Sequence, residues 1–380
     1  MRTIRQLCGA AVRRALNPLC QRLFPREDYL PPGRVAHRLG TTVAQLVEAA
    51  LQYADRLRLQ DADGRFGGYK FCASAAQPVL YGTVAAVLLK HLCNRRENIA
   101  AAEVDLIQAA QCPDGLFRDP VMACPEAERE DWWGTRHVSM HALMALAMAG
   151  RPAKYSVDWV KNTYPRQAFR AQIQSMDWGT RVAFTSNALQ NIGVALQYAR
   201  DFQNADWTRE YLEMLFEEID AHQDPATGLY GLSFVSPRDI SEGVQAGYHF
   251  WLLHAYDRRP IPYAERVVDS VLATQNPRGG FGVLWRSSAC EDIDSLDPLF
   301  RISSRLQYRQ ADIRRAQTAA LAAILSNVNE DGGWVFRRHE ALQYGWSRQT
   351  SALQDESCLF FTWFRLLGLA YCLLGMSERP

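Results

Sequence analysis

Three aspartates, Asp292, Asp294 and Asp297, stand at short spacing directly before an apolar run of the chain. This spacing predicts that they lie close together where a loop turns into a helix. Clustered carboxylates repel one another when they are ionised, which tends to raise the pKa of at least one of them and keeps a proton available at neutral pH. The three aspartates are therefore candidate catalytic residues, and the chemistry they suggest is acid catalysis.

The same three residues also allow a structural interpretation. Aspartate and serine before an apolar run are common N-cap residues. The N-terminus of a helix favours the ionised carboxylate, which opposes a raised pKa. The cluster alone does not distinguish capping from chemistry, so the choice depends on the elements that position it.

Turns that combine glycine with an aromatic residue recur along the chain at similar intervals. The intervals are 51, 63, 50, 51 and 53 residues between the markers Gly64, Gly115, Trp178, Gly228, Gly279 and Gly332. A fixed period of this kind is the signature of a repeat architecture. The sequence therefore predicts six units of similar size.

Each unit is predicted to contain two helices that differ in charge. The helices ahead of the turns carry charge on one face and are predicted at 41–59, 97–111, 158–174, 206–221, 262–275 and 311–328. The helices after the turns are far less charged and are predicted at 79–93, 135–149, 185–200, 243–257, 295–306 and 356–374. A helix that is apolar on every side is buried on every side, so the second set is predicted to be the inner one.

Six outer and six inner helices that alternate along the chain predict an all-α fold, an (α/α)6 toroid of six helical hairpin repeats with glycine-aromatic turns. We expect this domain to cover residues 40–380, after a basic amphipathic N-terminal segment at 1–39. An open helical array that serves as a binding scaffold fits the same period. In a closed toroid all inner helices begin at one rim, and this rim adds candidate substrate-binding residues: Trp132, Trp133, Arg136, His137, His141, Tyr248, His249 and Trp363.

Composition limits the partners and the location. The net charge is +1 and the pI about 7.6, so no global field calls for a nucleic acid. Nine cysteines are scattered without a C-x-x-C pair, which favours reduced thiols and a cytoplasmic location. We expect no apolar run of the roughly 18 residues that span a bilayer. Residues 1–24 either pack on the domain or make a peripheral membrane contact, in which case the protein is membrane-associated.

The turns at 275–281 and 329–334 place Gly-Gly-Phe and Gly-Gly-Trp after Gln-Asn and Asn-Glu. They resemble the repeats shared by terpenoid cyclases and protein prenyltransferase β-subunits. In class II terpene cyclases an Asp-x-Asp-Asp or Asp-x-Asp-Thr motif holds a protonated Asp that starts cyclisation by protonating an alkene or an epoxide. The segment Asp292-Ile293-Asp294-Ser295 is similar, with Ser295 in place of the last Asp or Thr. The resemblance implies a small apolar isoprenoid substrate, Asp294 as the acid and Asp292 as its neighbour.

Metal-dependent members of the same superfamily fit the sequence poorly. Prenyltransferase β-subunits bind zinc through an Asp, a Cys two residues later and a distant His, but Asp294 stands at the cysteine position and Cys290 is misplaced. Class I cyclases need an Asp-Asp-x-x-Asp motif, and the chain contains no Asp-Asp pair. We therefore expect no metal site and no cofactor, with magnesium only if the substrate is a diphosphate.

Two other functions stay open at this point. Toroids of six helical hairpins also serve glycoside hydrolases and polysaccharide lyases, which act along an aromatic-lined cleft. The residues that would take this role here are Asp131, Trp132, Trp133, Arg136, His137, Tyr248 and His249. A non-catalytic toroid that binds a lipid or a partner protein is the third. The lining of the central cavity separates these functions, since an apolar pocket favours an isoprenoid and an open polar groove favours a glycan.

Overall fold

The computed structural model describes residues 43–122, 134–231, 233–345 and 347–376. The N-terminal segment 1–39, with the membrane contact expected for residues 1–24, lies outside the described residues, as do Asp131, Trp132 and Trp133. The described chain is mostly helical, with 13 α-helices, 59% helix and a small sheet of 3 strands. One cluster of buried apolar residues extends from Ala50 to Cys372.

The helices of the described residues are, in chain order, α1 (Val43–Arg56), α2 (Leu80–Leu92), α3 (Ala101–Ala109), α4 (Thr135–Met148), α5 (Trp159–Thr163), α6 (Arg166–Gln174), α7 (Val182–Gln203), α8 (Thr208–Ala221), α9 (Pro237–Tyr256), α10 (Ala264–Ala273), α11 (Ala289–Ser303), α12 (Gln310–Leu325) and α13 (Leu359–Met376). Short 3-10 turns occur at Arg96–Asn98, Pro120–Met122 and Arg348–Thr350.

Six of these helices contact one another in a closed circle. Along the chain α2 packs on α4, α4 on α7, α7 on α9, α9 on α11 and α11 on α13, and α13 then packs on α2. Other helices lie against consecutive members of the circle: α3 contacts α2 and α4, α10 contacts α9 and α11, and α12 contacts α11 and α13. The first helix, α1, packs on both α2 and α13.

All twelve predicted helical stretches are helical, with three differences in detail. The stretch 158–174 is divided into α5 and α6 at Tyr164-Pro165, because a residue before proline avoids the helical conformation. The helices predicted at 243–257 and 295–306 each begin six residues earlier, at Pro237 and Ala289. The three aspartates therefore lie within the first three turns of α11, and the prediction that they lie where a loop turns into the helix is wrong.

Capping boxes explain both early starts. Ser288 Oγ accepts from the backbone N–H of Glu291 at 3.1 Å, and the Glu291 carboxylate accepts from the Ser288 N–H at 2.8 Å. Ser236 and Asp239 make the same reciprocal pair ahead of α9, at 3.2 and 3.0 Å. Each pair satisfies two backbone donors that a helix N-terminus would otherwise leave without partners.

A three-stranded antiparallel sheet departs from the all-α expectation. Strands β1 (Arg58–Gln60), β2 (Phe66–Lys70) and β3 (Pro78–Val79) pair in that order between α1 and α2. The first glycine-aromatic segment thus forms a hairpin, with Phe66 and Tyr69 as the β-favouring residues of β2 and Tyr69 fully buried.

The later glycine-aromatic turns pack the units against one another. Gly279 and Gly332 have φ of 93° and 80°, and a Cβ atom at either position would lie 2.3 or 2.4 Å from the backbone oxygen of Ala319 or Ala49 on the next outer helix. Only glycine fits both the left-handed backbone and this close approach. The aromatic residue that follows in each turn, Phe281 in the first case, is fully buried.

Helix α13 is the one helix of the described residues with the length and composition needed to cross a membrane. Over its 18 residues, 56% are buried inside the structure, where it packs on α2, α11 and α12. The expectation that no stretch reaches this length does not hold for α13. A buried core helix passes the same test, so the finding is weak evidence for a membrane span.

Candidate functional site

A cavity of about 750 Å³ lies within the circle of helices. Its lining comes from α4, α7, α9, α11 and α13 and is predominantly apolar, with Met140, Leu143, Met144, Val194, Leu252, Leu253, Phe360, Trp363 and Phe364 among its members. Three lining residues are also exposed, Phe184 at 41%, Phe202 at 48% and Tyr256 at 52%, and they mark where the cavity meets the surface. Volume and lining are those of a small-molecule site, which typically measures about 300–1,000 Å³.

Asp294 lies in the wall of this cavity and is only 4% exposed. Its carboxyl group makes no hydrogen bond and no ion pair with any residue that the structure describes. Burial raises the pKa of Asp294 well above its ordinary value, and the neighbouring Glu291, Asp297 and Asp292 raise it further. Burial and the neighbouring carboxyl groups thus favour the protonated form of Asp294, whose side chain faces the cavity.

Asp292 is buried but does not line the cavity. Its carboxylate accepts from the Arg365 guanidinium, from Ser287 Oγ at 2.8 Å and from the backbone N–H of Phe281 at 3.0 Å. Burial raises the pKa of Asp292, and Arg365 and these donors oppose the rise. The residue joins α11 to α13 and to the turn at Gly279, so its surroundings are those of a structural ion pair.

Asp297 is also buried outside the cavity lining. Both of its oxygens accept from Arg301 Nε, at 2.8 and 2.9 Å. Arg301 Nη2 continues to the Tyr371 hydroxyl at 3.2 Å. Of the three predicted aspartates, only Asp294 faces the cavity without a partner among the described residues, while Asp292 and Asp297 are neutralised by arginines.

A hydrogen bond that recurs at three glycine-aromatic turns accounts for the different directions of the neighbouring aspartates. In three units the backbone N–H of the turn aromatic donates to a side chain on the following inner helix: Phe117 to Ser139, Phe281 to Asp292 and Trp334 to Thr362, at 2.7, 3.0 and 2.9 Å. Two residues further on in each helix stand His141, Asp294 and Phe364, and all three line the cavity. Asp292 therefore occupies a repeated structural position and Asp294 a repeated cavity position.

Three predicted histidines, His137, His141 and His249, line the same cavity as Asp294. Burial lowers the pKa of His137 well below its ordinary value, that of His141 to about 4 and that of His249 to about 3. All three imidazoles are neutral at physiological pH, because burial disfavours their charged form.

Hydrogen bonds fix which ring nitrogen carries the proton in two of them. His141 Nδ1 lies 3.0 Å from the carbonyl oxygen of His137, which only accepts, so Nδ1 is the protonated atom. His249 Nδ1 lies 2.9 Å from Ser186 Oγ, whose own hydroxyl donates to the Ala183 carbonyl, so Nδ1 again donates. Both histidines consequently keep a basic lone pair on Nε2, which has no hydrogen-bond partner within the described chain.

Tyr248 and Trp363 complete the predicted residues that reach the cavity. Trp363 packs edge-on against His141 with the ring centroids 6.0 Å apart, and against Phe360 at 5.5 Å. Tyr344 joins the same aromatic wall, with its ring 5.5 Å from that of Phe360. These aromatic rings enclose the side of the cavity that α13 provides.

Arg136 is not brought to the cavity. Although it is next to His137, its guanidinium lies over the ring of Trp159 at 5.2 Å and donates to the Tyr164 hydroxyl at 2.9 Å. Successive residues of a helix point about 100° apart, so His137 and Arg136 face opposite layers. The predicted substrate contact of Arg136 has no counterpart in the described structure.

Sequence reasoning did not find Cys290 and Arg301, which line the cavity on α11. They stand four residues before and seven residues after Asp294, on the same face of the helix. Their spacing from Asp294 could have identified them as cavity residues. The helix was predicted to begin too late in the sequence, so the shared face was not recognised.

Within the described ranges no group of three or more His, Cys, Asp or Glu side chains is arranged to hold a metal ion. The expectation of a site without a cofactor stays a prediction. Comparison with known proteins gave no matching family model and no matching curated protein.

Proposed function

We propose that the protein cyclises an uncharged isoprenoid by acid-initiated catalysis, as class II terpene cyclases do, with Asp294 as the proton donor. The observation that carries this proposal is a buried carboxyl group with a raised pKa and no partner among the described residues, in the wall of a predominantly apolar cavity.

The resemblance to terpenoid cyclases also supports a proposal for the architecture. We propose that the closed circle of α2, α4, α7, α9, α11 and α13, with charged helices outside it, is the inner ring of an (α/α)6 toroid. The glycine-aromatic turns that join the units and the six-fold alternation along the chain support this assignment. The cavity is then the centre of the toroid.

Protonation of a carbon–carbon double bond or an epoxide needs an acid that is not neutralised by a counter-ion. Asp294 meets this condition, whereas Asp292 and Asp297 are each paired with an arginine. When the proton leaves Asp294 and the substrate becomes cationic, the rings of Trp363, Phe360 and Tyr344 offer negative faces that stabilise positive charge without forming a bond to it.

The cyclisation ends when the last cation loses a proton to a base. Neutral His141 and His249 carry Nε2 lone pairs in the same cavity and are our candidates for this step. Environments that raise the pKa of one titratable group and lower that of another identify acid and base within one site. Here the acid is the aspartate and the bases are the histidines.

Charge favours a neutral substrate over a diphosphate. Among the described residues that line the cavity, Arg301 is the one arginine or lysine, and Asp297 already neutralises its charge. A diphosphate carries several negative charges and is normally bound by several cations or by magnesium. The proposed reaction therefore does not call for magnesium.

The glycan alternative finds little support in the described lining. Sugars are held by many hydrogen bonds, and most side chains along this cavity are aliphatic or aromatic. A non-catalytic lipid-binding toroid would use the same apolar cavity but would have no need of the acid. A variant without the Asp294 proton therefore distinguishes acid-initiated cyclisation from lipid binding alone.

The test is turnover of squalene, oxidosqualene and prenyl diphosphates by the wild-type protein and by Asp294→Asn, with product analysis by mass spectrometry. We expect cyclised products from the wild type only, with a loss of at least about 1,000-fold in the variant, in which the amide keeps the shape but supplies no acidic proton. Reactions in D₂O should place one carbon-bound deuterium in a product that forms by protonation of an alkene, as from squalene, whereas the deuteron delivered to an epoxide oxygen exchanges with solvent.

Asp206→Asn is the matched control, because Asp206 is an exposed aspartate on the surface. It should turn over substrate at the wild-type rate. Full activity of Asp294→Asn, or a squalene product without carbon-bound deuterium, would contradict acid initiation by Asp294.

A further inference from the structure

Two buried cysteines, Cys72 and Cys358, lie opposite each other where α13 returns to the start of the described chain. Both have an exposed fraction of 0%, and both thiols are free in this structure. Cys72 follows β2, and Cys358 directly precedes α13. They are partners in an isolated antiparallel β-bridge, which brings together residues about 290 positions apart in the chain.

The type of bridge matters for the distance between the two residues. The backbone N–H of Leu359 donates to the Phe71 carbonyl at 2.8 Å, whereas the N–H of Cys358 donates to the Trp334 carbonyl at 3.1 Å. The hydrogen bond thus joins the neighbours of the cysteines, as in a non-hydrogen-bonded pair of an antiparallel ladder. In such a pair the Cα atoms are typically about 4.5 Å apart and the side chains point to the same face. A disulfide needs a Cα separation of about 4.4–6.8 Å, so this type of pair can accommodate one.

Side chains beside the pair hold the two segments in this register. Ser74 donates to the Glu356 carboxylate from its backbone N–H and from its hydroxyl, both at 2.7 Å. The Cys72 thiol donates to the Ser351 carbonyl at 3.2 Å. Thiols are weak donors, so Cys72 gives up little when it leaves this carbonyl to bond with Cys358.

This is the one β-bridge between two cysteines in the part of the chain that the structure describes. A single buried cysteine usually acts as a small apolar side chain. Two cysteines at opposed positions of a ladder are also placed to form a covalent bond.

We propose that Cys72 and Cys358 are a disulfide site, at which a disulfide oxidant links the segment after β2 to the start of α13 and closes the circle of helices covalently. The inference is independent of the proposed function, because neither cysteine lines the cavity.

The chemistry consists of two successive thiol–disulfide exchanges with a low-molecular-weight disulfide such as oxidised glutathione. The Cys72 thiolate attacks one sulfur of the oxidant, whose S–S bond breaks, and a mixed disulfide and one free thiol result. The Cys358 thiolate then attacks Cys72 Sγ and releases the second thiol. The two cysteines lose two electrons and the oxidant gains them. The two cysteine protons end on the two thiols released.

Burial makes this bond a durable link rather than a rapid switch. It raises the pKa of Cys72, and it raises that of Cys358 well above its ordinary value. Because the thiolate is the reactive form, exchange is slow while the two segments stay together and requires that they separate transiently. Once formed, the bond is shielded from reductants in the same way.

The test is oxidation of the full-length protein by excess oxidised glutathione, in urea below the unfolding transition so that the segments can separate transiently. The remaining thiols are alkylated under denaturing conditions, and the protein is digested with trypsin without reduction. Trypsin releases Cys72 in the peptide 71–90 and Cys358 in the peptide 349–365, and neither peptide contains another cysteine. Mass spectrometry should find these peptides joined in most of the protein, and separate after full reduction with dithiothreitol.

The bond should also raise the Tm by about 5 °C or more, because a cross-link across so long a loop restricts the unfolded chain. Thermal unfolding followed by circular dichroism measures this increase. Cys358→Ala should abolish both the joined peptides and the increase. Cys93→Ala is the matched control and should keep both, since Cys93 is a half-buried cysteine with a pKa raised to about 11 and no cysteine opposite it in a β-bridge. Each variant is compared with its own reduced form, so a change in packing does not enter the comparison.

Free Cys72 and Cys358 after oxidation, glutathione attached to either of them, or a bond from either to another cysteine would overturn the site. Joined peptides with an unchanged Tm would confirm the bond and overturn its role in closing the circle.

Discussion

Asp294 and the cavity histidines are all buried, and burial has opposite consequences for their proton occupancy. In water an aspartic acid is far stronger than an imidazolium and would give its proton to a histidine. In this cavity the pKa of Asp294 is raised, while the pKa values of His141 and His249 are lowered to about 4 and 3. Burial thus favours the neutral form of the acid and of the bases alike, so that Asp294 and the histidines can share one cavity without proton transfer between them.

This arrangement predicts a pH-dependent stability cost at position 294. The folded state holds the Asp294 proton above pH 4, where the unfolded chain releases it, so the wild type loses up to about 1.4 kcal/mol for each pH unit between the unfolded and the folded pKa. Asp294→Asn has no such proton. We expect the variant to gain stability relative to the wild type as the pH rises from about 4 to the raised pKa of Asp294 in the folded state.

The measurement is the free energy of unfolding of both proteins from denaturant titrations at several pH values. A difference that stays constant with pH would mean that the Asp294 pKa is not raised. The activity of the wild type should fall over the same range as the pH passes the Asp294 pKa, because the acid must be protonated to act.

At the scale of elements, periodicity and charge predicted every helix of the described residues but not every helix start. The starts of α9 and α11 were each placed six residues late, although Ser236 with Asp239 and Ser288 with Glu291 form capping boxes that can be read from the sequence. The sheet at Arg58–Val79 was missed because its glycine-aromatic segment fits the same pattern as the later turns. The inward direction of Asp294 could not be predicted without the correct helix start, which fixes the face on which each residue lies.

The contact between α11 and α13 depends on the buried Asp292–Arg365 pair. Arg365 also donates to the carbonyls of Ser287 and Phe336, so it holds three segments together. Arg365→Met should cost about 3–5 kcal/mol of unfolding free energy, because it leaves the Asp292 charge buried and uncompensated.

The double variant Asp292→Ser with Arg365→Met should recover much of this loss. Serine and threonine accept the same turn N–H in the equivalent positions Ser139 and Thr362, so the hydrogen bond from Phe281 can be kept without a charge. Denaturant unfolding of the single and double variants measures the recovery. A double variant less stable than Arg365→Met alone would show that Asp292 contributes more than a partner for Arg365.

At the scale of the whole molecule, the last described helix, α13, packs on the first two, α1 and α2. The last glycine turn packs on α1, the Tyr53 hydroxyl donates to the Ser357 carbonyl at 2.6 Å, and α13 lies against α2. The repeat period predicted six units, but a period is compatible with both an open array and a ring. Closure depends on contacts between residues about 300 positions apart, and the sequence pattern holds no information on them.

Closure should make the last turn as important to stability as a turn in the middle of the chain. Gly332 has φ of 80°, and its Cβ would lie 2.4 Å from the Ala49 backbone oxygen on α1. Gly150 has φ of 69° with no atom within 4 Å of its Cβ. Both substitutions by alanine force a side chain into the left-handed region, but only Gly332→Ala also separates the first unit from the last.

We therefore expect Gly150→Ala to cost about 1 kcal/mol and Gly332→Ala roughly 2–4 kcal/mol, since backbone strain and steric displacement add at the second site. In a closed ring the weakened junction lowers the stability of the whole circle, and unfolding stays a single transition. An open array would instead lose its terminal unit first, because each repeat then depends only on its neighbours. Thermal unfolding followed by circular dichroism and by tryptophan fluorescence distinguishes the two, and equal losses for the two variants, or an early separate transition in Gly332→Ala, would contradict closure.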